Sequence, residues 1–111
     1  MNNIPYFNEL NCAITVCDKE GVIIYCNKKS QETFAQYGDL TGKNLKDCHN
    51  AASWEKICNI LKTGKSNSYT IEKNGQKKII HQAPWYKNGE IKGLIEFSII
   101  IPFDMPHFVR E

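Results

Sequence analysis

Hydrophobic and polar residues alternate near the start of the chain in the manner of a β-hairpin. Residues 12–17 alternate with a period of two, residues 18–21 supply a turn, and residues 22–26 form a second β-branched and aromatic run. Asn27 follows directly and is a suitable N-cap for a short helix through Tyr37, with Gly38 as its stop. The pattern predicts two antiparallel strands and a short helix.

A longer amphipathic helix is predicted after a second capping residue. Ser53 is a suitable N-cap, and Gly64 can end the helix. The apolar residues recur at i, i+3, i+4 and i+7, and they are Trp54, Ile57, Cys58 and Leu61. This spacing places them on one face of the helix, where they can pack on a sheet.

Three strand-like segments complete the chain, at residues 68–73, 77–85 and 91–101. Asn74-Gly75 and Lys87-Asn88-Gly89 join them, and Asn-Gly between extended runs favours a hairpin turn. Pro84 indicates an edge or a bulge within the second segment. In the last segment Ile95, Phe97 and Ile99 alternate with Glu96 and Ser98, which predicts a sheet with one buried face.

The order of these elements predicts a single α+β domain over residues 1–111, with a five-stranded antiparallel sheet and helices packed on one face. Residues 1–10 are expected to form an N-terminal flanking segment. Residues 103–111 are expected to form a C-terminal tail.

Charge and cysteine content narrow the functional classes. The 14 basic and 12 acidic residues are scattered and give a net charge of +2, so no nucleic-acid partner is expected. The five cysteines are odd in number and contain no Cys-x-x-Cys pair, and no signal peptide is visible, which predicts a cytoplasmic location. The longest aliphatic run, residues 99–101, is far too short to span a membrane, so no membrane insertion is expected.

Three stretches resemble the PAS domain family of sensory proteins: AITVCDKEGVIIYCN at 13–27, LTGKNL at 40–45 and GEIKGLIEFS at 89–98. The resemblance implies a sheet order of 2-1-5-4-3, a pocket between sheet and helices, and a role in sensing or dimerisation. Asp47-Cys48-His49 with Ser53 is also similar to a PAS subgroup fused to hemerythrin-like domains, although Asn50 stands where proline is usual.

The first functional hypothesis is a small-molecule sensor. An apolar or amphipathic ligand would lie in a pocket under the Trp54 helix, and Cys48 and His49 would be its chemical contacts. The expected pocket residues are Phe34, Tyr37, Leu45, Cys48, His49, Trp54, Ile57, Cys58, Leu61 and Ile80. A helix N-terminus and a neighbouring imidazole would both favour the thiolate of Cys48.

Cofactor chemistry gives a second hypothesis. Photoactive flavin sensors of the resembled family carry a reactive cysteine at the position of Leu45, so flavin-adduct chemistry is not expected. Haem is usually bound by a histidine of the long helix, which has none here, but Cys48 or His49 could be an axial ligand in a redox or gas sensor. The cofactor therefore stays open.

The third hypothesis is a ligand-free dimerisation module. The apolar residues of both termini could cover a sheet face or a sister subunit, and a homodimer is expected. A pocket filled by Trp54 and Tyr37 would favour this hypothesis, whereas an open cavity beside Cys48 and His49 would favour ligand sensing. No catalytic motif is present, so we expect no enzyme activity, and any output would come from a partner protein or domain.

Overall fold

The computed structural model describes residues 5–111; the remainder of the predicted flanking segment, residues 1–4, lies outside the described residues. The helices are α1 (Pro5–Asn8), α2 (Lys28–Thr33) and α3 (Ala51–Thr63), with 3₁₀ turns at Ala35–Tyr37 and Leu45–Cys48. The strands are β1 (Ala13–Asp18), β2 (Ile23–Cys26), β3 (Asn67–Lys73), β4 (Gln76–Lys87) and β5 (Glu90–Ile101).

The five strands form one antiparallel sheet in the order β2-β1-β5-β4-β3, which confirms the predicted fold. Both Asn-Gly turns have positive φ at both residues, as a type I′ hairpin requires. β4 is longer than predicted and continues past Pro84. Pro84 pairs with Leu94 of β5, and it has no partner on β3, whose pairing with β4 stops at Asn67 and Gln82. The register shift lies just after Pro84, between Trp85 and Tyr86.

The sheet has an inner face toward the helices and an outer face. Leu94 and Glu96 lie on the inner face and are 0% and 7% exposed, whereas Ile99 lies on the outer face and is 38% exposed. The predicted alternation in β5 is correct, but the apolar set of Ile95, Phe97 and Ile99 occupies the less buried face. Glu96 can lie on the buried face because the strand register places it beside polar residues of both neighbouring strands, Thr15 and Gln82.

Asn27 caps α2 as predicted, because its side chain accepts a hydrogen bond from the Ser30 amide. The predicted helix through Tyr37 is interrupted at Phe34, whose backbone (φ −110°, ψ 33°) leaves the helical region before the 3₁₀ turn begins. Gly38 ends that turn with a positive φ, as expected.

Helix α3 begins earlier than the sequence indicated. Asn50 is its N-cap, and the Asn50 side chain accepts from the Ser53 amide at 2.8 Å. Ser53 therefore lies in the first turn, where it donates its amide to the cap instead of being the cap. Gly64 ends the helix in the left-handed conformation, as predicted.

The loop before α3 covers the free edge of β2. Ile23 donates its amide to the Lys43 carbonyl at 2.7 Å, and Gly42 donates to the Ile23 carbonyl at 2.9 Å. This pairing seats the loop and α3 on the inner face, over one buried core. The core residues are Cys17, Ile23, Leu40, Leu45, Ile57, Ile60 and Leu94.

Candidate functional site

A cavity of about 430 Å³ lies between the first half of α3 and strands β3 and β4. Its helical wall is formed by Ala52, Ser53 and Lys56. Its sheet wall is formed by Asn67, Ser68, Tyr69 and Gln82. Sites for small molecules generally fall in the range of about 300–1,000 Å³, so this cavity has the size of a ligand site.

The sheet wall contains a connected series of polar side chains. Asn67 donates from Nδ2 to Gln82 Oε1 at 3.2 Å, and Gln82 donates from Nε2 to Glu96 Oε2 at 2.8 Å. Gln82 is only 2% exposed and Glu96 only 7% exposed. Because buried polar groups require partners, these hydrogen bonds fix the orientation of the wall.

His49 connects this series to the helical layer. Its Nδ1 donates to the Leu45 carbonyl at 2.9 Å, and its Nε2 lies 3.7 Å from Glu96 Oε2. The side chains of His49 and Glu96 are 11% and 8% exposed. A carboxylate on the central strand β5 thus faces an imidazole that directly precedes the cap of α3.

Two pKa shifts describe the electrostatics of this cluster. Burial lowers the pKa of His49, but the hydrogen bond and charge of Glu96 and the Leu45 carbonyl outweigh it, and the net pKa is raised above 6.5. Burial raises the pKa of the Tyr69 phenol, and the charge of Glu96 raises it further. The site therefore favours imidazolium at His49 and a neutral phenol at Tyr69.

The thiols of Cys17, Cys26 and Cys48 are poorly activated, because burial raises their pKa values. Burial raises the pKa of Cys48, and the negative charge of Asp47 adds to this more than Lys43 opposes it. The expected thiolate at Cys48 is therefore wrong. Burial also raises the pKa of Cys17 to about 11.

Most of the residues expected to line a pocket lie in the core instead. Leu45 and Ile57 are members of the core cluster, with exposures of 2% and 0%. Four others pack against that cluster while partly buried: Phe34, Cys48, Trp54 and Leu61. Ile80 is buried on the inner face and pairs with Tyr69 of the cavity.

Two expected pocket residues lie on the surface. Cys58 is exposed, because the buried stripe of α3 passes through Ile57 and Ile60 and leaves Cys58 on its flank. Tyr37 is 37% exposed and contacts the Phe34 ring with centroids 6.3 Å apart. Neither residue lines the cavity.

Trp54 does not fill the cavity. Its ring lies over Gly21 in the β1–β2 turn, where a Cβ would be 2.7 Å from Trp54 Cη2. Gly21 also has a φ of +88°, which side chains rarely adopt. The helix is thus seated on this turn, and the cavity is lined by neither Trp54 nor the Cys48-His49 pair.

None of the ten expected pocket residues lines the cavity, and the polar partners of His49 were not predicted. His49 and Phe34 lie close together, with ring centroids 6.5 Å apart, but neither residue lines the cavity. Gln82 and Glu96 were missed, because polar residues in strands usually face solvent. The available signal was that two aligned positions on neighbouring strands both carry long hydrogen-bonding side chains.

The Cys48-His49 pair does not fit an axial haem ligand. Both ring nitrogens of His49 are engaged, one by the Leu45 carbonyl and one by Glu96, and the Cys48 thiol favours its neutral form. Within residues 5–111, no three His, Cys, Asp or Glu side chains are grouped so that they could hold a metal ion.

In the described part of the chain, none of the helices has the length and apolar character needed to cross a membrane.

The comparisons with protein-family models and with solved structures point to the same family. A protein-family model described as PAS domain matches residues 11–97. No curated protein matches the chain. Similar solved structures include the PAS domain of the histidine kinase ThkA, which is 18% identical with a TM-score of 0.67 and covers 81% of this chain and 99% of that one.

Two further structures share the fold. The PAS domain of BvgS from Bordetella pertussis is 23% identical with a TM-score of 0.63, covering 89% of this chain and 83% of that one. VqmA bound to DPO is 22% identical with a TM-score of 0.69, covering 90% of this chain and 56% of that one. At these identities the structures show a common fold.

Proposed function

Because the chain belongs to the PAS domain family of sensory domains, as found in histidine kinases, we propose that it senses a small molecule bound between α3 and the sheet. The observation that carries the proposal is the cavity with its polar sheet wall. VqmA, of which 56% of the chain matches this fold, is bound to DPO, and this supports the proposal that a small molecule is sensed.

The lining defines the class of ligand. Asn67, Gln82 and Tyr69 offer hydrogen-bonding groups, Lys56 offers a cation, and Ala52 offers a small apolar surface. The proposed ligand is a small molecule with several hydrogen-bonding groups, more polar than the ligand expected from the sequence. Its contacts would be the cavity residues, and His49 would act through Glu96 and Gln82.

The proposal can be tested by screening a fragment library against ¹⁵N-labelled protein. We expect fragments that shift the amides of Ala52, Asn67 and Tyr69. Ala52→Phe fills the cavity and should weaken binding by about tenfold or more, because the fragment loses its space. Ala51→Phe is the matched control, since Ala51 is also exposed on α3 but does not line the cavity. Fragments that bind both variants equally would place the ligand site elsewhere.

A homodimer is the second part of the proposal. The outer face of the sheet carries Ile95, Phe97 and Ile99, and the tail exposes Phe103 and Phe108 at 56% and 68%. Exposed apolar surface of this kind is typical of protein interfaces. We propose that a second copy of the chain covers the outer face and that the signal passes to an output partner or domain, as in the histidine kinases that contain this fold.

The proposed compartment is a reducing one. All five cysteines are free, and the thiols of Cys17, Cys26 and Cys48 have pKa values raised by burial. The free state of the cysteines is the feature that supports the cytoplasmic location predicted from cysteine usage.

A further inference from the structure

The His49–Glu96 pair is the connection between the two walls of the cavity. His49 is followed directly by Asn50, which caps α3, and α3 carries the helical wall. Glu96 accepts from Gln82, which accepts from Asn67, and these two amides form part of the sheet wall. The contact between His49 Nε2 and Glu96 Oε2 therefore joins one wall to the other.

The hydrogen bonds fix the position of one proton on His49. A carbonyl oxygen only accepts, so the Nδ1 that faces Leu45 carries a proton in both charge states. The second proton, on Nε2, points at the Glu96 carboxylate. When that proton is lost, the Nε2 lone pair and the carboxylate oxygen face each other across 3.7 Å with little solvent between them. Attraction is then replaced by repulsion.

Titratable groups on β1, on β3 and directly before α3 also lie near the pair, and they keep their protonation state near neutral pH. The thiols of Cys17 on β1 and Cys48 before α3, and the phenol of Tyr69 on β3, all have pKa values raised mainly by burial, with Glu96 contributing. These groups remain neutral around pH 7. The fixed charges nearby are Asp47 and Lys43, which act on Cys48, and Asp18, which acts on Cys17. Lys56 lines the cavity itself.

We propose that the His49–Glu96 pair is a proton-dependent clamp on the cavity: protonated His49 holds the helical wall to the sheet wall, and deprotonation releases it. The clamp rests on the proposed function, because it regulates access to the same site. Ligand binding would then respond to pH, with entry favoured when the clamp is released.

The clamp is tested on the ligand-free protein by NMR between pH 5.5 and 8.5. We expect the His49 imidazole and the amides of Ala52, Ser53, Asn67 and Gln82 to titrate together with one midpoint above 6.5. In Glu96→Gln the His49 midpoint should fall by about one pH unit or more, and the wall amides should no longer follow it. His81→Gln is the matched control, because His81 precedes Gln82 in β4 and shares a hydrogen bond with Ser68 of the sheet wall; it should leave the wall titration that follows His49 unchanged.

His49→Gln provides a second variant in case Glu96→Gln folds poorly, and it should also abolish the wall titration. The clamp is overturned if the wall amides do not move with His49, or if they move equally in Glu96→Gln or His49→Gln. Because no ligand is present, this outcome is independent of the fragment screen. A protein that binds no fragment but shows the shared titration would keep the clamp and lose the proposed ligand.

Discussion

At the scale of single residues, Asn27 does the most to join separate parts of the chain. Its Oδ1 accepts from the amides of Ile14 and Ser30, and its Nδ2 donates to the carbonyls of Phe7 and Cys12 at 2.8 Å each. Asn27 is 0% exposed. One side chain thus connects α1, the start of β1 and the cap of α2.

Replacing Asn27 should be far more damaging than removing an exposed cap. We expect Asn27→Ala to lower the free energy of unfolding by about 3 kcal/mol or more, because it leaves several buried backbone groups unpaired. Asn50→Ala, which removes only the exposed cap of α3, should cost about 1 kcal/mol. Urea unfolding measures both values, and equal losses would show that the Asn27 network contributes little beyond capping.

The cysteines should differ strongly in reactivity. Cys58 is exposed, whereas Cys17 is 0% exposed and has its pKa raised to about 11 by burial. This raised pKa leaves Cys17 with far less thiolate at pH 8 than an ordinary thiol has, and the thiolate is the form that reacts. Iodoacetamide should therefore modify Cys58 well before Cys17, as peptide mass spectrometry can measure. Early modification of Cys17 in folded protein would contradict the buried core around it.

At the scale of elements, the sequence was sufficient for the strands and turns. Asn-Gly turns and period-two alternation act locally, so the strands and both hairpins of β3, β4 and β5 could be predicted. The start of α3 and the break at Phe34 were missed, because Asn50 and Ser53 could each cap α3 and Phe34 could continue α2, and only the tertiary contacts select between these alternatives.

The candidate site was less predictable for a related reason. Alternation in β5 shows that Glu96 and Ile95 face opposite ways, but it does not show which face the helices cover. Burial of Glu96 depends on Gln82 from another strand and on His49 from the helical layer, both distant in sequence. An apolar pattern is equally typical of a solid core and of a pocket lining. Ile57 and Leu45 were therefore predicted to contact a ligand, but they lie in the core.

The pairing of the helical layer with the sheet should make stability depend on pH. The folded pKa of His49 is raised above its unfolded value, so its stabilising effect is complete below about pH 6.5 and is lost as pH rises through the folded pKa. Wild-type protein should lose stability between pH 6 and 8, before the thiols ionise. Urea unfolding of Glu96→Gln over the same range should show a flatter dependence. A wild-type curve that rises with pH over this range would contradict the assignment.

At the scale of the whole molecule, the two faces of the sheet differ in what they carry. The inner face carries the core and the polar wall of the cavity, and the outer face carries an apolar strip for a second copy. The family membership gives the sensory role, and the cavity gives the proposed input. The outer face gives the proposed route to a partner.

Adjacent isoleucines allow the proposed dimer to be tested. Ile99 and Ile100 are 38% and 48% exposed and lie on opposite faces of β5. Ile99→Lys places a charge in the outer strip and should raise the dimer dissociation constant by about tenfold or more. Ile100→Lys adds the same charge on the other face and should leave association unchanged. Sedimentation equilibrium measures both, and a dimer insensitive to Ile99→Lys would exclude the outer face as the interface.

The central claim is the location of the ligand, and isotope-filtered NOEs from the best-binding fragment to the labelled protein test it most directly. We expect NOEs to the Ala52 methyl group, the Tyr69 ring and the Gln82 side-chain amide, which all line the cavity. NOEs to the methyl groups of Leu45 and Ile57 instead would place the ligand in the core beneath α3 and contradict the account.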